Sequence, residues 1–100
     1  MSFLVQVDFP YDGPFGTEMS EAMRGLAEDI ASEPGLIWKI WTESESTGTA
    51  GGIYLFDNEA DARRYLEKHK ARLTQFGIKD IRSLVFQTND ALSRIDRAPL

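Results

Sequence analysis

Residues 3–9 alternate between two sides of an extended chain, with Phe3, Val5, Val7 and Phe9 on one and Leu4, Gln6 and Asp8 on the other. That period of two predicts a half-buried strand. The stretch Pro10-Tyr11-Asp12-Gly13-Pro14 supplies turn residues, after which Phe15, Met19, Ala22, Met23, Leu26, Ala27 and Ile30 recur at steps of three and four. Such spacing predicts one amphipathic helix, which Pro34-Gly35 stops. Leu36 to Thr42 and Ile53 to Phe56 are rich in β-formers and flank the polar run Glu43 to Thr49, so they read as two strands joined by a hairpin loop. Gly51 and Gly52 mark either a bulge or a close approach of something to the backbone. Asp57 or Asn58 caps a second helix, Glu59 and Asp61 lie in its first turn, and Ala62, Tyr65, Leu66, His69, Leu73 and Phe76 form its inner stripe up to Gly77. Ile78 to Thr88 reads as a fourth strand and residues 90–100 as a polar tail. The order βαββαβ is the ferredoxin-like α+β arrangement, one domain over residues 1–100 with a four-stranded antiparallel sheet.

In that arrangement both helices cover one face of the sheet, so a solitary subunit should be polar on the other. The strands read otherwise. The second strand places Leu36, Trp38 and Ile40 on one side and Ile37 and Trp41 on the other, and the third separates Ile53 and Leu55 from Tyr54 and Phe56. Whichever set meets the helices, aromatic side chains remain opposite, each exposing roughly 150–250 Å². Several together exceed what soluble monomers usually carry. At about 25 cal/mol/Å², covering such a patch is worth on the order of ten kcal/mol before association costs are subtracted. The expectation is a homodimer with the two sheets packed face to face, a dimeric α+β barrel in which the tail 90–100 is a candidate interface segment.

Composition narrows the chemistry. The chain has 100 residues, no cysteine and a single histidine, His69, which excludes disulfide frameworks, thiolate nucleophiles and cysteine metal sites and leaves no metal site expected. A net charge of −5 disfavours a nucleic-acid or anionic-lipid partner. Up to Asn58 there are two basic and ten acidic residues; from Glu59 onward there are nine basic and six acidic, most of the basic ones on the second helix. The longest apolar run, Gly35 to Trp41, is interrupted by Lys39 and is too short to span a bilayer, and the N-terminus lacks a basic targeting region, so a cytoplasmic protein with no membrane partner is expected. No phosphate-cradling glycine loop, GxGxxG or GxSxG motif is present.

The segments Gly13-Pro14-Phe15-Gly16, Pro34-Gly35-Leu36-Ile37-Trp38-Lys39-Ile40-Trp41-Thr42-Glu43-Ser44, Ala50-Gly51-Gly52-Ile53-Tyr54-Leu55-Phe56 and Tyr65-Leu66-Glu67-Lys68-His69 resemble the YdhR family of monooxygenases. The likeness runs along almost the whole chain. That family is similar to the antibiotic-biosynthesis monooxygenases, and the resemblance implies a dimeric α+β barrel that oxidises an aromatic compound, phenolic or polycyclic, with molecular oxygen and no bound cofactor. It also implies a pocket between the helices and the sheet of each subunit. One position departs from the wider superfamily, where several members carry a tryptophan after the third strand. Here that strand ends Phe56-Asp57-Asn58.

Such chemistry asks the protein to bind a flat ring, keep water out and manage one proton, because an electron-rich anion reduces oxygen directly. Trp38, Trp41, Phe15, Tyr65 and Phe56 offer flat apolar surface for the substrate, and Arg72 offers a cation one turn from His69. His69 and Tyr54 are the candidate catalytic pair: an imidazole with an ordinary pKa near ~6.5 suits a general base, and Tyr54 follows two glycines that leave room beside it. Each has a plainer reading. His69 and Tyr65 also fit a packed helix stripe, Trp38 and Trp41 a core and an interface, Phe15 a hydrophobic helix cap and Arg72 a solvated helix face.

Two other functions compete. Ferredoxin-like domains also bind RNA by stacking bases on their strands, but the third strand has no basic residue before its glycines, and Arg63, Arg64, Lys68, Lys70 and Arg72 lie on a helix that would sit behind the sheet. A dimeric small-molecule binding protein without turnover needs the same pocket as the oxygenase. The residues alone do not separate those two.

Overall fold

The computed structural model describes all 100 residues, Met1–Leu100. Eight elements follow one another: β1 (Phe3–Pro10), α1 (Gly16–Ala22), α2 (Arg24–Ala31), β2 (Leu36–Ser44), β3 (Thr49–Phe56), α3 (Glu59–Gln75), β4 (Arg82–Gln87) and α4 (Asp90–Ile95). The four strands form one antiparallel sheet in the order β2-β3-β1-β4, the ferredoxin-like topology. Residues that face each other across an antiparallel pair share a face of the sheet, so the register sorts the side chains. Val5 pairs with Tyr54 and Val85, Phe3 with Phe56, and Val7 with Gly52. These residues point toward the helices, where Val5, Val7, Tyr54 and Phe56 join Ile30, Ala62, Tyr65, Leu66 and Leu73 in one buried core.

The predicted elements appear with five departures, one being that the hairpin strands run into the expected loop, β2 on to Ser44 and β3 back to Thr49. The first helix is broken at Met23, whose backbone (φ −99°, ψ 4°) leaves the helical range and divides it into α1 and α2. Gly25, in the first turn beyond the break, lowers the cost of the kink. The fourth strand begins at Arg82 and not at Ile78, because Ile78 N–H still bonds back to the Leu73 carbonyl and Asp80 takes a left-handed conformation (φ 54°). The tail contains a short helix, α4, capped by the Asn89 side chain accepting from Leu92 N–H. Phe76 leaves the inner stripe: it is the C-cap of α3 and 62% exposed.

The twin glycines settle as a close approach, since the β1–β3 register is unbroken through them. A Cβ on Gly51 would lie 1.9 Å from the Val7 carbonyl oxygen. The irregularity falls elsewhere, between Leu36 and Trp38, where Leu36 opposes Phe56 but Trp38 opposes Leu55. One extra residue, Ile37, therefore switches the strand's faces. Leu36 belongs with the helices instead of with Trp38 and Ile40, and Lys39 and Trp41, opposite Tyr54 and Gly52, point to the helix side.

The outer face carries Trp38, Ile40, Ile53, Leu55, Leu84 and Phe86 around Gln6 and an Asp8–Arg82 ion pair of 2.9 Å. Part of it is covered by the chain's own tail, where Trp38 Nε1–H donates to the Pro99 carbonyl at 2.8 Å and neighbouring Leu55 is fully buried. Ile40, Leu84 and Phe86 are 52%, 41% and 47% exposed. No helix is long and apolar enough to cross a membrane.

Candidate active site

Between the helices and the sheet lies a partly open cavity of about 240 Å³. It exceeds the ~150 Å³ that suffices for a benzene ring in an apolar protein cavity. The kinked first helix contributes Met19, Met23 and Leu26; the strands contribute Phe9, Lys39, Trp41, Ala50 and Tyr54; α3 and the turn after it contribute His69, Leu73, Phe76 and Ile78. Tyr11 closes the row, with its ring edge-on to Phe9 and Phe15 at centroid distances of 6.1 and 5.6 Å. Two methionines and two leucines against aromatic rings make a wall that adapts its shape to a flat guest.

At the inner end the polar atoms form a line. Asp29 accepts from Arg72 Nη1 at 3.0 Å, Arg72 Nη2 meets His69 Nδ1 at 2.9 Å, and His69 Nε2 meets the Tyr54 hydroxyl at 3.1 Å. The direction of each bond follows from arginine having donors only. Arg72 must donate to Nδ1, so the imidazole proton is on Nε2 and is donated to the Tyr54 oxygen. The Tyr54 hydroxyl proton is then left for another acceptor. Tyr65 holds both rings in place, stacked on His69 at 5.1 Å and tilted against Tyr54 at 5.0 Å, centroid to centroid.

The surroundings keep the rings of this line, His69 and Tyr54, uncharged. Burial, with the charges of Lys39 and Arg72 added, lowers His69 to about 3, so it is a neutral imidazole at any ordinary pH. Burial pushes the Tyr54 phenol up to about 12 and raises Tyr65 further, so both keep their protons. The Tyr65 hydroxyl is buried without a hydrogen-bond partner. Lys39 is the exception: burial first, and the Arg72 charge second, bring its ammonium down to about 7.

The sequence candidates therefore separate. Tyr54, His69 and Trp41 come together in the cavity wall. Arg72 stands behind His69, and Tyr65 and Phe56 pack in the core beneath, with ring centroids 5.5 Å apart. Phe15 caps α1 at the rim, packed on Tyr11, while Trp38 is on the far side of the sheet and outside the cavity. Lys39 escaped the sequence reading, although a lone cation interrupting the longest apolar run was the visible signal. The local reason it reaches the site is Gly52: a Cβ there would come within 2.7 Å of Lys39 Cε, so the bare glycine gives the lysine stem its path over the sheet. Glu43 Oε1 accepts from Gly16 N–H at 2.7 Å and fixes the start of α1. No three histidine or acidic side chains are grouped to hold a metal ion.

Fold and cavity together define a ferredoxin-like α+β protein with an apolar ring-sized pocket under its helices. The family model described as "Putative mono-oxygenase ydhR" matches residues 4–99, and the chain belongs to that family. A comparison with curated proteins returned no match. Among solved structures the chain is similar to a point mutant of SnoaB, a cofactor-independent oxygenase from Streptomyces nogalater, with 15% identity, 88% of this chain and 93% of that one covered, and a TM-score of 0.63. It is also similar to a "putative antibiotic biosynthesis monooxygenase" from Deinococcus radiodurans (16% identity, 89% and 93% covered, TM-score 0.56) and to the structural-genomics protein YJCS (14%, 88% and 98%, 0.62). At these identities the solved structures speak for the fold.

Proposed function

We propose that this member of the family is a cofactor-independent monooxygenase that takes an aromatic compound, phenolic or polycyclic, and molecular oxygen. One observation carries the reading: the hydrogen-bonded line Arg72–His69–Tyr54 ends in an apolar cavity of ring size, with a hydroxyl whose proton has no partner along that line. A flat ring entering beside Trp41 displaces water into bulk and meets the Tyr54 O–H as a donor to its own oxygen substituent. His69 supports that role by holding the Tyr54 oxygen from behind. It is a positioning residue here and not the general base its ordinary pKa suggests, because Nε2 already carries a proton and Nδ1 is occupied by Arg72.

Overall, a ring-activated CH₂ becomes C=O: one oxygen atom enters the substrate, and the other leaves as water with the two hydrogens. The substrate supplies the electrons, and the protein supplies a dry, oriented site.

The subunit is incomplete as a soluble surface, and we propose a homodimer through the outer face of the sheet. Ile40, Leu84 and Phe86 on this face are each about half exposed, Leu92 and Ile95 of the tail are more exposed still, and covering the strand residues removes apolar surface of the kind monomers avoid.

The test follows oxygen. Purified protein treated with a chelator is mixed with dihydroxynaphthalenes or anthrones and oxygen consumption is recorded. Uptake that depends on the protein, and falls about tenfold or more in Tyr54→Phe, supports the oxygenase. Tight binding of these rings with no uptake would make the chain a binding protein without turnover.

A further inference from the structure

Lys39 is the unexplained charge of this molecule. Its Nζ stands 3.3 Å from the centre of the Trp41 ring and 4.7 Å from that of Tyr54, inside the apolar cavity, with neither a hydrogen bond nor an ion pair. No charged or titratable group around it neutralises it, Tyr11 in the cavity wall and Tyr65 beneath included, since burial raises both phenols and keeps them protonated. Arg72 and His69 on α3 and Tyr54 on β3 are cationic or neutral; Asp29 on α2 is paired with Arg72; Glu43 on its own strand holds Gly16 N–H. A half-buried cation with only ring faces for partners wants an anion.

We infer that the cavity receives its ligand as an oxyanion, a phenolate or enolate made and held on Lys39 Nζ opposite the Tyr54 hydroxyl. When the amine is neutral, the ligand's O–H bond breaks as an N–H bond forms on Nζ, so a neutral pair becomes an ammonium–phenolate pair with no change in electrons or total charge. When the amine is already protonated, it captures the anion directly. Burial and the Arg72 charge place the lysine near 7, where both routes are open at neutral pH. Gly52 makes the arrangement possible, because any side chain there would push the lysine stem aside. The inference rests on the proposed reading of this pocket as an aromatic site and names the ionic form and the residue that selects it.

4-Nitrophenol reports its own ionisation by colour, and nitrobenzene is its neutral counterpart. Both are titrated into wild type, Lys39→Met and Lys39→Arg from about pH 5 to about pH 9. The expected result is that wild type lowers the dye's apparent pKa by about one unit or more, that Lys39→Met loses about tenfold in nitrophenolate affinity while binding nitrobenzene within about twofold, and that Lys39→Arg keeps the preference for the anion. Gly52→Ala, which keeps the lysine but displaces it, weakens the preference in the same direction. Equal nitrophenolate affinity in wild type and Lys39→Met, or no binding of either probe by folded wild type, overturns the inference. Anion-selective binding without oxygen uptake leaves the anion site standing and removes the oxygenase reading alone.

Discussion

Arg72 Nη2 lies 2.9 Å from His69 Nδ1, and because a guanidinium only donates, this contact decides which nitrogen of the imidazole carries the proton. The consequence reaches Tyr54, whose oxygen is thereby an acceptor and whose proton is directed elsewhere. Replacing Arg72 by Met is expected to release the tautomer. Nitrogen NMR of the ring should show one protonated nitrogen, Nε2, in wild type and a mixture in the variant. Stability should fall by about 1–3 kcal/mol, the usual cost of leaving a buried acceptor without its donor. A single unchanged tautomer in Arg72→Met would remove Arg72 from this role.

Acid should destabilise the protein through His69. The folded chain binds the imidazole proton only near 3, whereas the unfolded chain binds it near its ordinary 6.5. Between those values the unfolded state holds more protons, so stability rises with pH and is lost as pH falls through that window. The urea midpoint of wild type should drop steadily below about pH 6, while His69→Gln, which keeps a donor and an acceptor but does not titrate, should give a flatter curve over the same range.

Lys39 acts in a different window with the same sign. Its proton binds near 7 in the folded chain and near 10.5 in the unfolded one, so the unfolded state again holds more protons between those values and the lysine costs stability most fully below 7. Lys39→Met should therefore be more stable than wild type by about 1–3 kcal/mol at pH 6, with the gain fading toward pH 10. Denaturant melts at the two pH values check it; a variant less stable at both contradicts it. A gain in stability at a residue that holds a ligand is the familiar trade between fold and site.

The two adjacent glycines should respond differently to alanine. At Gly51 the added Cβ meets backbone, 1.9 Å from the Val7 oxygen and 2.8 Å from Asp8 Cα, so β1 and β3 must separate; a loss of about 3 kcal/mol or more, or failure to fold, is expected. At Gly52 it meets the flexible Lys39 Cε and the edge of Tyr54, and about 1 kcal/mol is expected. Thermal melts of both variants, compared side by side, should give that order.

If the outer face pairs two subunits, charges placed there should part them. Ile40→Glu combined with Phe86→Glu is expected to shift sedimentation from dimer to monomer at micromolar concentration with little change in secondary structure. A wild-type protein that sediments as a monomer under the same conditions would end the dimer proposal.

Much of this was legible before any coordinates. Alternation in residues 3–9 and the three-and-four spacing of Ala62, Tyr65, Leu66, His69 and Leu73 express a period carried by the chain itself, which is why the strand, the helix and their buried sides emerged from the residues alone. The same periods led to the ββ hairpin and the ferredoxin-like order. The kink at Met23 and the helix in the tail were not legible, since each turns on a single backbone conformation or cap that a hydrophobic period does not encode.

At the site, periodicity brought Tyr54 and His69 to notice as polar tips on apolar faces. It could not tell Trp38 from Trp41, because the extra residue at Ile37 reverses the alternation and is visible only in the strand register. Nor could it find Lys39 beside Tyr54, or Arg72 on the far nitrogen of His69. Lys39 and Tyr54 stand fifteen positions apart on two strands, with no rule of spacing to join them, and although helical spacing sets Arg72 one turn from His69, it does not say which ring nitrogen the guanidinium meets. The chain by itself determined which faces are apolar, a local matter of side-chain order. Which polar atoms touch, which proton each keeps and where the unpaired lysine lies were decided by the packing of strand against helix, since hydrogen-bond direction and desolvation exist only once those surfaces have met.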